Sequence, residues 1–244
     1  MEKNPPYDYI LLGSSRTLNF LQPKRIDSLT GLQGINLAID ASGPLELKLM
    51  LKEYLKKGTP SYVFVQTDYR TEETPDPLGS IPWMPYIIEQ DIFNAFKPYG
   101  KYYSYYHYIP YYRYAKFGPK IGSREILLTQ LGDKNQTYEY LGYQPVYTVM
   151  QKEGKAAAEL NKLPNAHLLE IVEICQELNI KLYFFTSPIY QSTFDFSFYK
   201  DFLPNYSDFS NLYQNKTLFM NVTHLNDEGA SIFSEYFATY YFKN

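Results

Sequence analysis

Two side chains at opposite ends of the chain have the chemistry to act together. Ser15 lies in Tyr9-Ile10-Leu11-Leu12-Gly13-Ser14-Ser15-Arg16-Thr17, where a short apolar run stops at a glycine and two serines. His224 lies in Thr223-His224-Leu225-Asn226-Asp227-Glu228-Gly229-Ala230. A serine hydroxyl is a poor nucleophile at neutral pH and needs a base within hydrogen-bond reach, and imidazole titrates in the right range. Such a pair could open an acyl ester through a covalent intermediate. His224 also has a plainer reading, packing or capping at the last helix, so the catalytic reading requires a fold that brings it to Ser15.

The elements that would do this are legible as alternating strands and helices. Tyr9–Leu12, Ile35–Ile39, Tyr62–Val65, Lys181–Thr186 and a short Leu218–Met220 read as strands, apolar enough for a sheet covered on both faces. Pro44–Lys57, Pro164–Leu178 and a last helix capped by Asn226 read as helices. The alternation predicts an α/β protein with helices on both sides of a central, mostly parallel five-stranded sheet. Ligands in open sheets of this kind sit outside the carboxyl ends of the strands, which is where Gly13-Ser14-Ser15 and His224 both fall.

One segment departs from the alternation. Tyr69 to about Gly154 holds Trp83, many prolines and the run Tyr102-Tyr103-Ser104-Tyr105-Tyr106-His107-Tyr108. A structureless loop of this length is improbable inside a domain, so the segment predicts a helical lid with helices over Tyr86–Phe96, Tyr111–Phe117 and Ser123–Gln130. The whole chain, 1–244, reads as one domain with this single insertion.

Composition narrows the function classes. A net charge of -3 and the lack of a basic field argue against nucleic acid as a partner. One cysteine, Cys175, excludes an internal disulfide and reads as a buried inert thiol. With three histidines besides, no metal site or cofactor is expected. A phosphate nest at Gly13-Ser14-Ser15 lacks the Gly-rich fingerprint or Walker lysine of a nucleotide binder. Tyrosine, at 27 residues, is abundant enough that the insertion has two readings, aromatic packing or a wall that stacks on sugars. Arg16 beside the serine either holds its loop or attracts an anion; Arg113 and Arg124 are weaker candidates for contact with a substrate, and His107 and His167 read as structural. Four Asn-x-Ser/Thr matches, at Asn135, Asn205, Asn215 and Asn221, read as chance in a chain rich in these residues. The chain enters its first core strand within nine residues, which suggests that an upstream leader or anchor has been removed.

Gly13-Ser14-Ser15-Arg16 after the first strand, with Thr223-His224-Leu225-Asn226-Asp227-Glu228-Gly229-Ala230 near the end, resembles the SGNH (GDSL-type) hydrolase superfamily, in particular its bacterial branch linked to cell-envelope and exopolysaccharide O-acylation. The resemblance implies a flavodoxin-like three-layer α/β/α fold, Ser15 as nucleophile and His224 as base. It places an oxyanion hole at the N–H groups of Ser15 and Gly43, Gly34 being a second choice, with Thr67 where the family has an asparagine donor. It also places a carboxylate three residues before the histidine, where this chain has Asn221. Three outcomes are open: a Ser–His–Asn arrangement, a substitute acid at Asp208 or Asp68, or an inactive site. Asp227, three residues past His224, belongs to the first turn of the last helix.

The expected function is a serine esterase or O-acyltransferase acting on acyl esters of carbohydrate, acetyl esters foremost. The alternative is a catalytically inactive glycan-binding or assembly module. The resemblance implies an acylated carbohydrate or other small ester as substrate, a membrane acyltransferase as a candidate partner, and a location outside the cytoplasm, periplasmic or at the cell surface.

Overall fold

The computed structural model describes residues 7–67, 69, 74–121, 139–156, 158 and 160–243, with the backbone alone at 118–121. Its centre is a five-stranded sheet in the order β2-β1-β3-β4-β5, formed by β1 (Tyr9–Leu12), β2 (Gly34–Asn36), β3 (Tyr62–Gln66), β4 (Lys181–Thr186) and β5 (Tyr206–Asp208). Every pairing is parallel. This is the doubly wound, flavodoxin-like order, with the first strand central and the chain reversing direction beside it.

The apolar run of β1 is buried on both faces because its side chains alternate between two cores. Ile10, Leu12, Val63, Val65, Leu182 and Phe184 point to one side, against α3 (Pro44–Leu55) and α8 (Ala166–Glu177). Tyr9, Leu11, Phe64 and Phe185 point to the other, against α1 (Ser15–Phe20), α2 (Pro23–Thr30) and α9 (Asp227–Phe242). Phe64, Phe185, Phe233 and Phe237 are fully buried there, each contributing roughly 1.5–3 kcal/mol by leaving water. The three layers are therefore helices, sheet, helices.

The exposed edge of β2 is covered by the returning chain: Asn36 N–H donates to Leu141 O at 2.9 Å, which removes a free strand edge. Gly142 makes that approach feasible. Its φ is +89°, and a Cβ there would run into the Asn36 carbonyl.

The strand expected at Leu218–Met220 does not join the sheet. The fifth strand is Tyr206–Asp208, whose side chains are half-buried or exposed, so it carries no apolar run to mark it. Residues Phe219–Asn221 (β6) instead pair antiparallel with His224–Leu225 (β7), in a register that sets Asn221 opposite His224. Leu218 and Phe219 are apolar because they pack under α9. The second strand is also shorter than Ile35–Ile39, although Leu37 N–H to Leu11 O and Ile39 N–H to Gly13 O prolong its path toward the rim.

The insertion is helical, as expected, but more finely divided. It contains α4 (Pro77–Ser80), a 3-10 turn over Ile81–Tyr86, α5 (Gln90–Phe96), α6 (Tyr102–Tyr108) and α7 (Tyr112–Ile121). The expected helix over 123–130 lies outside the described residues. Trp83, Met84, Phe93, Phe96, Tyr103 and Tyr106 form a third core with Leu45 and Leu49 on the outer side of α3. A polar chain adds to this seat: Lys48 Nζ is 3.0 Å from His167 Nδ1, and His167 Nε2 is 2.7 Å from Tyr99 OH. An ammonium only donates, so Nδ1 accepts and the Nε2–H faces the tyrosine. His167 is thus structural, and so is His107, stacked on Phe93 at 4.0 Å.

Candidate active site

The chain leaves β1 through Gly13, where a Cβ would meet Thr17 Oγ1 and Gln66 Cβ. Glycine is therefore what lets the strand turn into α1 at this point. Ser14 then faces β3: its N–H and its Oγ both reach Gln66 Oε1, at 3.3 and 3.1 Å. With Ser14 anchored inward, Ser15 at the first position of α1 turns to the other side. Its Oγ lies 2.8 Å from His224 Nε2, across 209 residues of sequence.

His224 is held by the β6–β7 hairpin. Asn221 Oδ1 accepts the N–H of Thr223 at 2.9 Å and the N–H of His224 at 2.9 Å. Backbone N–H groups only donate, so the atom they surround is the amide oxygen and not the amide nitrogen. That same oxygen is 3.2 Å from His224 Nδ1. A bare Nδ1 would set lone pair against lone pair, so the contact favours the Nδ1–H tautomer, in which Nε2 accepts from Ser15. Thr223 Oγ1, 3.0 Å from Nδ1 and 3.2 Å from Asn221 Oδ1, completes the cluster. Asn226 sets the start of the last helix: its side chain accepts from Gly229 N–H at 3.0 Å and donates to Thr217 O at 2.7 Å, so that α9 begins directly after the hairpin.

The structure thus brings Ser15, His224 and Asn221 into one chain of contacts. The other expected residues are placed differently. Asp208 accepts the Ser210 N–H at 2.8 Å and closes a local turn at the end of β5, a bond to its own backbone rather than to His224. Asp68 lies outside the described residues. Asp227 accepts from Tyr143 OH at 2.7 Å in the first turn of α9. Arg16 is buried, and its Nη2 donates to the carbonyls of Ser187 and Pro188 at 2.6 and 3.1 Å, which ties the loop after β4 to α1.

The oxyanion donors are unequal. Ser15 N–H, at the first helical position, has no acceptor within its own helix. Gly43 N–H already donates to Glu46 Oε2 at 3.0 Å. Thr67 has a buried hydroxyl with no hydrogen-bond partner among the described residues. Gly43 and Thr67 face each other across a cavity of about 10 Å³, also lined by Ser14, Ser42 and Gln66 but not by Ser15. That is room for about one water. Gly34 lies at the start of β2, the opposite end of the strand from the rim.

Glu46, Gln66 and Thr223 are site residues that reading the sequence missed. Glu46 had a signal, its position three residues after the helix N-cap Gly43, the capping-box spacing. Its carboxyl is buried, Oε1 has no partner among the described residues, and burial pushes its pKa up to about 7 from 4.5. Folded-state ionisation is thus disfavoured: the stabilising contribution is complete below pH about 4.5 and is lost as pH rises through about 7. The span corresponds to about 3 kcal/mol. Relative to wild type, Glu46→Gln is expected to gain about that much unfolding free energy between pH 4.5 and pH 8 in urea titrations. A difference between the two proteins that does not change with pH would contradict this.

Cys175 is buried, which pushes its thiol up to about 12 and keeps it inert. Among the described residues, no cluster of three or more His, Cys, Asp or Glu could hold a metal ion, and no helix is long and apolar enough to cross a membrane. Searches against protein-family models and curated proteins found no match to this chain.

Proposed function

We propose that this protein is a serine esterase or O-acyltransferase of SGNH type, acting on acyl esters of carbohydrate. The observation that carries the reading is the 2.8 Å contact between Ser15 Oγ and His224 Nε2, at the strand-end rim and with the ring tautomer set by Asn221. In the first step Ser15 Oγ adds to the ester carbonyl as its proton passes to Nε2. The Ser15 N–H donates to the oxyanion that forms. The tetrahedral intermediate collapses, the proton on Nε2 goes to the leaving alcohol oxygen, and Ser15 is left acylated. Water or a sugar hydroxyl then gives its proton to Nε2 as it adds to the acyl carbon, and collapse returns that proton to Ser15 Oγ, which releases the acyl product and restores Ser15.

The same resemblance points to a location outside the cytoplasm and to a membrane acyltransferase as a candidate partner. The test is to mix the protein with an aryl acetate and follow intact mass and peptide mapping. Acetylation confined to Ser15, discharged by water or by an added sugar, supports the reading and separates hydrolase from transferase. Turnover no faster than buffer, with no adduct, contradicts it.

A second reading, an inactive glycan-binding or assembly module, is favoured by two observations: Asn221 supplies no charge to His224, and the Gly43 N–H is committed to Glu46. Under that reading Ser15→Ala changes no activity of the protein.

A further inference from the structure

One stretch of the insertion carries charge of one sign. Between residues 92 and 124 the cations are Lys97, Lys101, Arg113, Lys116, Lys120 and Arg124, with no Asp or Glu. The chain as a whole is at -3, so the rest of it stands at -9. Lys97, Lys101, Arg113 and Lys116 make no ion pair among the described residues. The Arg113 guanidinium carbon sits over the Tyr114 ring, 4.6 Å from its centre.

The same stretch carries exposed tyrosines. Tyr103 and Tyr106 of α6 are buried against α3 and α5, while Tyr102, Tyr105 and Tyr108 turn outward at 45%, 51% and 68% exposure. Tyr106 also stacks on Tyr112 at 5.7 Å, and Tyr105 meets Tyr112 at 6.4 Å, so the rings form a connected surface. Beside them, between α4 and the α6–α7 pair, lies a groove of about 310 Å³ lined by Ser80, Tyr102, Tyr103, Tyr106, Lys116 and Phe117. Among the described residues, Lys116 is the only charged one on its wall. The base of the groove is close to the catalytic rim, because a Cβ on Gly79 of α4 would touch the Ala41 carbonyl, two residues before Gly43.

We propose that this groove binds an acidic sugar within an anionic polysaccharide, the ring stacking on Tyr102 and the acid group meeting Lys116. Each part derives from the wall. Aromatic rings offer flat apolar faces to sugar C–H groups, and their hydroxyl tips remain hydrogen-bonding partners. An ammonium in a groove whose described wall holds no carboxylate selects an anion. The volume suits a small ligand unit, and Tyr105 and Tyr112 extend the contact for further sugars. The choice of a sugar over other polyanions rests on reading Ser15 as an ester-cleaving serine for carbohydrate.

The probe is polygalacturonate, measured by calorimetry at physiological ionic strength against dextran, phosphatidylglycerol vesicles and a thymidine oligonucleotide. Polygalacturonate is expected to bind at least tenfold tighter than dextran and in preference to the other two. Tyr102→Ala and Lys116→Gln are each expected to weaken it about fivefold, and Lys116→Arg to retain it. These exposed positions should leave the melting temperature unchanged, which controls for folding. Ser15→Ala should bind as wild type does, so loss of sugar binding and loss of the catalytic reading are separate results. Equal affinity for dextran, indifference to both variants, or preference for vesicles or the oligonucleotide would overturn the proposal.

Discussion

His224→Ala is expected to slow acylation of Ser15 by about 10³-fold or more, the scale of a positioned general base acting on an unactivated hydroxyl. His224 is the partner of Ser15 Oγ, at 2.8 Å. Asp208 accepts from the Ser210 N–H and Asp227 from Tyr143 OH, and neither is hydrogen-bonded to Ser15 Oγ among the described residues. The measurement is the rate of acetyl-Ser15 formation from an aryl acetate, beside Ser15→Ala, which should form none. His224 is half-buried at the hairpin and packs edge-on against Phe20 at 6.1 Å, so the melting temperature is needed alongside. A His224→Ala protein that melts normally and acylates at the wild-type rate would remove the imidazole from the mechanism.

Asn221→Asp is expected to move activity the other way. The amide oxygen already accepts two backbone N–H groups and the Thr223 hydroxyl, at 2.9, 2.9 and 3.2 Å. A carboxylate can take the same three bonds with no change of geometry, so the substitution isolates charge. A negative charge 3.2 Å from Nδ1 stabilises the imidazolium that forms as Ser15 attacks. We expect a gain of about 10- to 100-fold in kcat, or about 1.4–2.8 kcal/mol. The ceiling is set by two features. Asn221 is exposed, so water screens the pair. The tautomer is also already correct, whereas the ~10⁴-fold loss in a different serine hydrolase bearing the Asp→Asn change reflects a wrong tautomer. An unchanged or lower kcat would mean that Asn221 does not orient His224 during catalysis.

How much of this was legible depended on where each signal resides. Strand β1 is a fully buried apolar run, and β3 and β4 are buried and apolar over most of their length, so composition marks them directly. Strand β5 is a half-buried edge of Tyr206, Ser207 and Asp208, and nothing local distinguishes it from a loop. The Leu218–Met220 run is apolar for a different reason, its packing under α9, and so it imitates an edge strand. The meeting of Ser15 with His224 was legible only in part: Ser15 follows β1 at its carboxyl end, where this fold class gathers its ligands, whereas His224 comes from the β6–β7 hairpin and was expected at the end of a strand that does not join the main sheet. The roles of Gln66 and Thr223 were not, since each depends on contacts that only the folded chain supplies. Gly43 illustrates the limit: its position at the rim is readable from the sequence, but its N–H is taken by Glu46, three residues away.

The most direct test of the central claim is covalent labelling by a fluorophosphonate, read by intact mass on wild type, Ser15→Ala and His224→Ala. An activated Ser15 predicts one adduct on wild type, none on Ser15→Ala, and a rate lower by about 10³ on His224→Ala. Folded wild type that stays unlabelled after long incubation at high pH, or an adduct that persists in Ser15→Ala, would contradict it.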